Sequence, residues 1–330
     1  MNPIQPREDQ FIGALLGCAV GDALGAPLEG RSREEIAEVT DLMAGFHPFR
    51  SHSAGQFTDD TQQTIAIAQS IVDAGRVDGA AIAREFAKLW ESGEIVGQGP
   101  VADRAVKRLI AGVSWHEAAE TDDLPLNGSA MRVSPVGLWN FDQTDQLAAD
   151  ATISSIVTHQ HPLAIAGAIA TATAVAVACT SSEIDTDTFL RLTSESVAGH
   201  GAEFASHILA LRGWLTLDET AALEAIVEAG GESPWTKRRK GFGIPATVEP
   251  TVLASLYAFL KCPNDYPAAV ECSIRVGGDV DTTAAITGAI SGAHHGVDAI
   301  PGHLVASVKD SAAIQSLGSR LFAARFPKGV

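Results

Sequence analysis

The chain has 330 residues, 46% of them hydrophobic and 19% charged, which is enough apolar surface for a large core and excludes a disordered or fibrous protein. Its formal net charge of −17 repels phosphate backbones at long range, so no nucleic-acid partner is expected without a strong local basic patch. Cys18, Cys179, Cys262 and Cys272 are scattered with no CxxC spacing, which argues against a disulfide framework or a zinc site and for reduced thiols in a cytoplasmic protein.

Residues 1–10 are polar and carry Arg7, Glu8 and Asp9, with no basic start followed by an apolar leader, so export is not expected. From there the apolar spacing is helical almost throughout. Ile82, Phe86, Leu89 and Trp90, at i, i+4, i+7 and i+8, are one example, and few stretches alternate with period two. Helices are predicted over 9–25, 59–74, 79–91, 101–111, 145–157, 162–179, 185–196, 202–213, 219–229, 250–260, 266–274, 282–295 and 310–324. The expected fold is all-α, an orthogonal helical bundle. The longest apolar run, 163–179, is mostly alanine, contains Thr171 and Thr173, and follows His161 and Pro162; this suits a buried helix, not a lipid-facing span, and no membrane partner is expected.

Two predicted helices carry small residues at every fourth position: Gly13, Gly17, Gly21 and Gly25 in the first, Ala284, Gly288, Gly292 and Gly296 in the penultimate one. A glycine costs a helix about 1 kcal/mol relative to alanine, so such stripes are expected where two backbones must approach closely. Both helices are therefore expected at the centre. No low-complexity linker separates the halves of the chain, and a single domain over 1–330 is expected. The basic run Lys237-Arg238-Arg239-Lys240 lies in a stretch with Gly and Pro and is expected as a solvated loop, with an anionic ligand as the alternative.

Three segments carry chemistry. Glu29 follows the first helix at a turn bounded by Pro27 and Gly30, where a carboxylate either reaches into a cleft or simply faces solvent. Thr58-Asp59-Asp60-Thr61 opens a helix; alone it is explained as a cap, because Thr58 can N-cap and first-turn acids interact favourably with the helix dipole. Gly277-Gly278-Asp279-Val280-Asp281-Thr282-Thr283 repeats the pattern in the other half of the chain. Capping needs no doubled Asp, whereas Mg²⁺ or Mn²⁺ takes several oxygen ligands, at about 2.0–2.1 Å for Mg²⁺. If both turns converge, four carboxylates repel one another unless cations intervene. Joined by the hydroxyls of Thr58 and Thr282, they can bridge two ions roughly 3.5–4 Å apart, the spacing of two-metal hydrolases.

Gly13-Ala14-Leu15-Leu16-Gly17, Gly21-Asp22-Ala23-Leu24-Gly25 through Glu29, and the two acidic motifs resemble the ADP-ribosylglycohydrolase family. Asn127-Gly128-Ser129-Ala130-Met131-Arg132 and Thr158-His159-Gln160-His161-Pro162 extend the resemblance, which runs from Phe11 to Gly296. It implies a helical fold holding two Mg²⁺ or Mn²⁺ through Thr58, Asp59, Asp60, Asp279, Asp281 and Thr282. It also implies a catalytic or gating role for Glu29, and an ADP-ribose cleft lined by Gly97, Gly99, Asn127, Ser129, Met131 and His159. The implied partner is ADP-ribose on a modified protein or small molecule. Cleavage at an anomeric carbon develops oxocarbenium character, and Glu29 or Asp60 can serve as the acid or base.

Other residues stay ambiguous. His159 is equally a packed or capping histidine, and Arg132 either meets a phosphate or pairs with an acid of the metal site. Arginine-directed members carry an Asp-Ile-Gly-Asn-Thr-like segment where this chain reads Ile95-Val96-Gly97-Gln98-Gly99, so the carboxylate suited to a guanidinium is missing, with Glu94 nearby. Phe242 is a candidate for stacking adenine or a core anchor. Two other readings of the same motifs are a non-catalytic ADP-ribose sensor or structural protein, and a binuclear phosphohydrolase acting on a nucleotide.

Overall fold

In the computed structural model the described residues are 4–120, 124–231 and 243–327. Among them there are sixteen α-helices and no β-strand; only isolated bridges such as Ile244 with Gly278 occur. In chain order the helices are α1 (Glu8–Gly25), α2 (Arg33–Ala37), α3 (Asp59–Ala74), α4 (Gly79–Glu91), α5 (Pro100–Ile110), α6 (Ser134–Trp139), α7 (Thr144–Ile156) and α8 (Pro162–Thr180). They continue with α9 (Thr186–Val197), α10 (Ala202–Trp214), α11 (Glu219–Ala229), α12 (Val248–Lys261), α13 (Tyr266–Arg275), α14 (Val280–His295), α15 (Gly302–Ser307) and α16 (Ser311–Arg325). Each helix predicted from periodicity is present, with ends within two residues. The additional ones, α2, α6 and α15, are five or six residues long, too short to show a repeating apolar face.

The antiparallel pair α1 and α14 forms the axis, and the glycine stripes explain it. A Cβ on Gly13, Gly17 or Gly21 would overlap the carbonyl oxygen of Gly292, Gly288 or Ala284, and Cβ atoms on Gly288 and Gly292 would meet Gly17 and Gly13 in return. Backbone therefore lies on backbone for three turns, with the Tyr266 hydroxyl donating to the Gly17 carbonyl oxygen at 3.0 Å. Helices α3 and α16 pack on the α1 side of this axis; α8, α12 and α13 pack on the α14 side. Such a surround leaves no polar face on α1, where every residue from Gly13 to Gly25 is buried.

The alanine run of α8 works similarly. Its small side chains admit α6 so closely that a Cβ on Gly137 would overlap the Ala172 carbonyl oxygen. Pro162 starts the helix at its first turn, and the His161 ring nitrogen Nδ1 accepts from Leu163 N at 3.1 Å as the cap. Both α8 and the stretch Glu8–Leu28 are long and apolar enough to cross a bilayer, and both are mostly buried inside the bundle.

Replacing Gly17 by Ala should lower stability by ~1–3 kcal/mol or more, because the new methyl meets backbone that cannot swing aside. Gly213→Ala in α10, where a Cβ meets nothing within 4 Å, should be neutral or stabilising by up to ~1 kcal/mol. Urea denaturation of the two variants checks this; equal midpoints would refute the close backbone contact.

Candidate active site

The first acidic turn sits at the N-terminus of α3. Thr58 is its N-cap, and Asp59 and Asp60 occupy the first turn. Its position is fixed from α1 by Asp22, a fully buried carboxylate. Asp22 accepts from Thr58 N at 3.0 Å, Thr58 Oγ1 at 2.9 Å, Thr61 N at 3.0 Å and Thr61 Oγ1 at 2.6 Å. Asp59 N donates to the Val96 carbonyl oxygen at 2.7 Å, and Gln62 brackets the same loop, donating to Glu94 O and accepting from Val96 N. Gly97, with φ +82°, is thereby laid over Thr58 and Asp59.

The second turn is threaded between two other segments. Gly278 N donates to Arg31 O, Gly30 N donates to Gly278 O, and Asp279 N donates to Ile244 O, all at 2.8–2.9 Å. Gly277 and Gly278 have φ of +73° and +82°, and a Cβ on Gly278 would overlap the Ile244 carbonyl, so this crossing requires glycine. The pairing with residues 30 and 31 brings the exposed Glu29 beside the turn: carboxylate oxygens of Glu29, Asp279 and Asp281 lie within 4.8 Å of one another. Gly25 closes the arrangement, because a Cβ there would overlap the backbone of Asp281.

The two turns converge. Desolvation, then the charges of Asp22 and Asp59, hold Asp60 well above the usual carboxylate range; desolvation, then the charges of Asp279 and Asp60, do the same to Asp281. Desolvation and the charge of Asp22 push Asp59 to about 7, against the opposing Arg132. Desolvation moves Asp279 to about 6 against its hydrogen bond from Asn127. Asp60 Oδ1 is buried without any hydrogen-bond partner. Thr58 Oγ1 has one proton and lies nearer Asp22, at 2.9 Å, than Asp60 Oδ2, at 3.2 Å. An oxygen-only donor set, mutually repelling and partly orphaned, fits hard divalent cations.

This arrangement accompanies a match to the family model described as ADP-ribosylglycohydrolase over residues 3–329. The chain belongs to the ADP-ribosylglycohydrolase family. It is 31% identical over 320 residues to an uncharacterized protein of Archaeoglobus fulgidus, covering 96% of each chain. It is 29% identical over 297 residues to the ADP-ribosyl-dinitrogen reductase glycohydrolase of Rhodospirillum rubrum, covering 89% of this chain and 88% of that one. A solved structure described as an ADP-ribosylglycohydrolase-related protein complex shares its fold, with a TM-score of 0.73 at 24% identity and coverage of 97% and 99%.

The other residues that the family resemblance nominates fall into two groups. Glu29, Gly97, Asn127 and the six proposed metal ligands adjoin the two turns. Asn127 holds Asp279: its Nδ2 donates to Asp279 Oδ2 and lies 3.0 Å from Thr251 Oγ1. Ser129 is fully buried and donates to the Ala164 carbonyl oxygen at 3.0 Å, which ties it to α8. Met131 is buried in the core, and Gly99 caps α5. His159 is buried with Nδ1 2.7 Å from Thr158 Oγ1, and a Cβ on Gly128 would overlap its ring. Burial, then the charge of Arg132, holds it well below the usual histidine range, so the ring is neutral. Phe242 and the run 237–240 lie outside the described residues.

Arg132 makes no direct ion pair with an acid among the described residues; it stands behind the acidic turn with an amide between them. It is fully buried, stacks on Phe86 with its guanidinium carbon 4.6 Å from the ring centroid, and donates to Gln63 Oε1 and the Ser154 carbonyl. Gln63 Nε2 donates to Asp59 Oδ2 at 2.6 Å, so the guanidinium reaches the acidic turn through an amide. The supporting residues Asp22, Thr61 and Gln63 are not singled out by any metal-ligand pattern. Asp22 nevertheless leaves a signal: it is the only Asp, Glu, Lys or Arg between Phe11 and Leu28.

Without cations the raised carboxylates should make stability pH-dependent. Asp22, Asp59 and Asp279, at about 6, 7 and 6, stand above their unfolded values, so the folded chain binds more protons. Their contribution is present in full below the unfolded pKa and is lost as pH rises through 6 to 7. The melting temperature in EDTA should therefore fall between pH 5 and 8, and Mg²⁺ or Mn²⁺ should restore much of it at pH 8. A flat profile in EDTA would contradict this electrostatic account.

Proposed function

We propose that the protein hydrolyses the glycosidic bond joining ADP-ribose to a modified protein side chain or small molecule, using two Mg²⁺ or Mn²⁺ held by Thr58, Asp59, Asp60, Asp279, Asp281 and Thr282. The observation that carries this reading is the convergence of two acidic turns around the orphaned Asp60 Oδ1. The family and its relatives act on ADP-ribosyl groups by name, which supports a hydrolase of this class. When bound, the cations supply positive charge that grips sugar hydroxyls and lowers the pKa of a coordinated water.

The chain's own residues divide the remaining work. Asp60 is buried at the turn and serves as a ligand, whereas Glu29 is exposed at the edge of the cluster and is the carboxylate that water or a leaving group can reach. Glu29 accepts from Arg50 Nη2 at 3.0 Å. Both partners are solvent-exposed, so the pair is worth about 0–1 kcal/mol at most and yields readily to a substrate. Glu29 then takes a proton from the attacking water or gives one to the leaving atom, opposite the oxocarbenium-like sugar. Asn127 keeps Asp279 in place during this step. The absence of a carboxylate at Ile95 speaks against a strict preference for arginine-linked substrates. Four unpaired thiols support a reducing, cytoplasmic setting.

The test is to incubate the purified protein and Mg²⁺ with arginine-, serine- and small-molecule-linked ADP-ribose and identify products by mass spectrometry. Intact ADP-ribose is expected, with Asp279→Ala inactive and Glu29→Gln slowed ~10²–10⁴-fold in kcat. Release of AMP or phosphate would make the protein a phosphohydrolase, and tight ADP-ribose binding without turnover would make it a sensor. Full activity of Asp279→Ala in chelator would end the metal-dependent reading.

A further inference from the structure

We propose that Asp22 is a positioning residue of the active site, which sets the Thr58–Asp60 turn against the Asp279–Asp281 turn and aims the Thr58 hydroxyl. The inference rests on reading the two turns as a divalent-cation site.

A helix N-terminus leaves backbone N–H groups without partners, and its own N-cap side chain ordinarily satisfies one of them. Here Thr58 does so poorly, accepting from Asp60 N at 3.5 Å. Asp22 takes over from another helix, satisfying the N–H groups of Thr58 and Thr61 and both their hydroxyls. Four donors surround one carboxylate, a place that an amide cannot fill, because its NH₂ would face a donor.

Two consequences reach the site. Thr58 Oγ1 lies nearer Asp22, at 2.9 Å, than Asp60 Oδ2, at 3.2 Å; with its proton given to Asp22, its lone pairs have only the long contact from Asp60 N, and Asp60 Oδ1 has no donor among the described residues. Three residues further along α1, Gly25 abuts the backbone of Asp281. One turn of one helix therefore touches both acidic turns, and a helical turn has a fixed rise of about 5.4 Å. The separation of Asp60 from Asp281 is set by that turn.

The experiment is a Mn²⁺ titration of the full-length protein, followed by electron paramagnetic resonance of the free ion. The proteins compared are the wild type, Asp22→Asn, Thr61→Val and the double variant, each also checked by circular dichroism. Asp22→Asn should weaken binding ~10–100-fold while helicity is retained, the usual cost of losing a group that orients a ligand. Thr61→Val removes one donor to Asp22 and should weaken binding several-fold, and the double variant should bind no more weakly than Asp22→Asn, because Thr61 acts through Asp22. Wild-type affinity in Asp22→Asn overturns the proposal. If that variant does not fold, wild-type affinity in Thr61→Val overturns it instead. A wild-type protein that leaves Mn²⁺ free overturns the cation reading as well, whereas wild-type binding with unchanged variants overturns the role of Asp22 alone.

Discussion

The structure depends on a concentration of acidic groups that the protein itself compensates only in part. Asp22, Asp59, Asp60, Asp279 and Asp281 are drawn together in a desolvated space, and each is pushed toward its protonated form. The buried cation that answers them, Arg132, stands behind the cluster and meets Asp59 only through Gln63. Burying like charges is costly, so this arrangement makes sense as a receptacle whose energy balance is completed by what it binds.

Holding such a cluster in place requires a rigid frame, and the helix pair α1 and α14 supplies it. Because Gly13, Gly17, Gly21 and Gly25 face Gly292, Gly288, Ala284 and Asp281, the two backbones are in contact over three turns. The acidic turns hang from the same end of this pair: Asp22 grips one, and Gly25 abuts the other. The edge of the cluster at Glu29 is more open. Glu29 lies on a turn after α1, exposed and, among the described residues, ion-paired with Arg50, which itself has φ +50°. A closely packed frame beside an exposed edge is consistent with the proposed function, in which the acidic turns stay fixed while a large ligand is admitted.

Much of this was legible in the sequence. The long helices follow from apolar periodicity, and the central pair from small residues at every fourth position. The paired Asp motifs identify the two acidic turns that converge. Roles that depend on three-dimensional partners were not legible. Arg132 offers either a phosphate contact or an acidic partner until Gln63 is seen between it and Asp59. Ser129 belongs to the motif nominated for the cleft, yet its hydroxyl is spent on the Ala164 carbonyl, a contact across 35 positions. Asp22 is conspicuous as a lone charge in an apolar helix, but nothing local tells that its partners lie on α3. Short helices such as α6 escape for a different reason, since one or two turns carry no period.

The glycine-on-glycine contact also bears on how the chain matures. Gln10 Nε2 donates to the His294 carbonyl oxygen across 284 positions, so the central pair joins the two extremes of the sequence. Closing so long a loop is slow, and during synthesis at about 5–20 residues per second α1 waits roughly 15–60 seconds for its mate. Throughout that interval a helix apolar on every side has no finished surface to rest against. The exposed apolar surface is therefore a hazard of biogenesis and not of the mature protein.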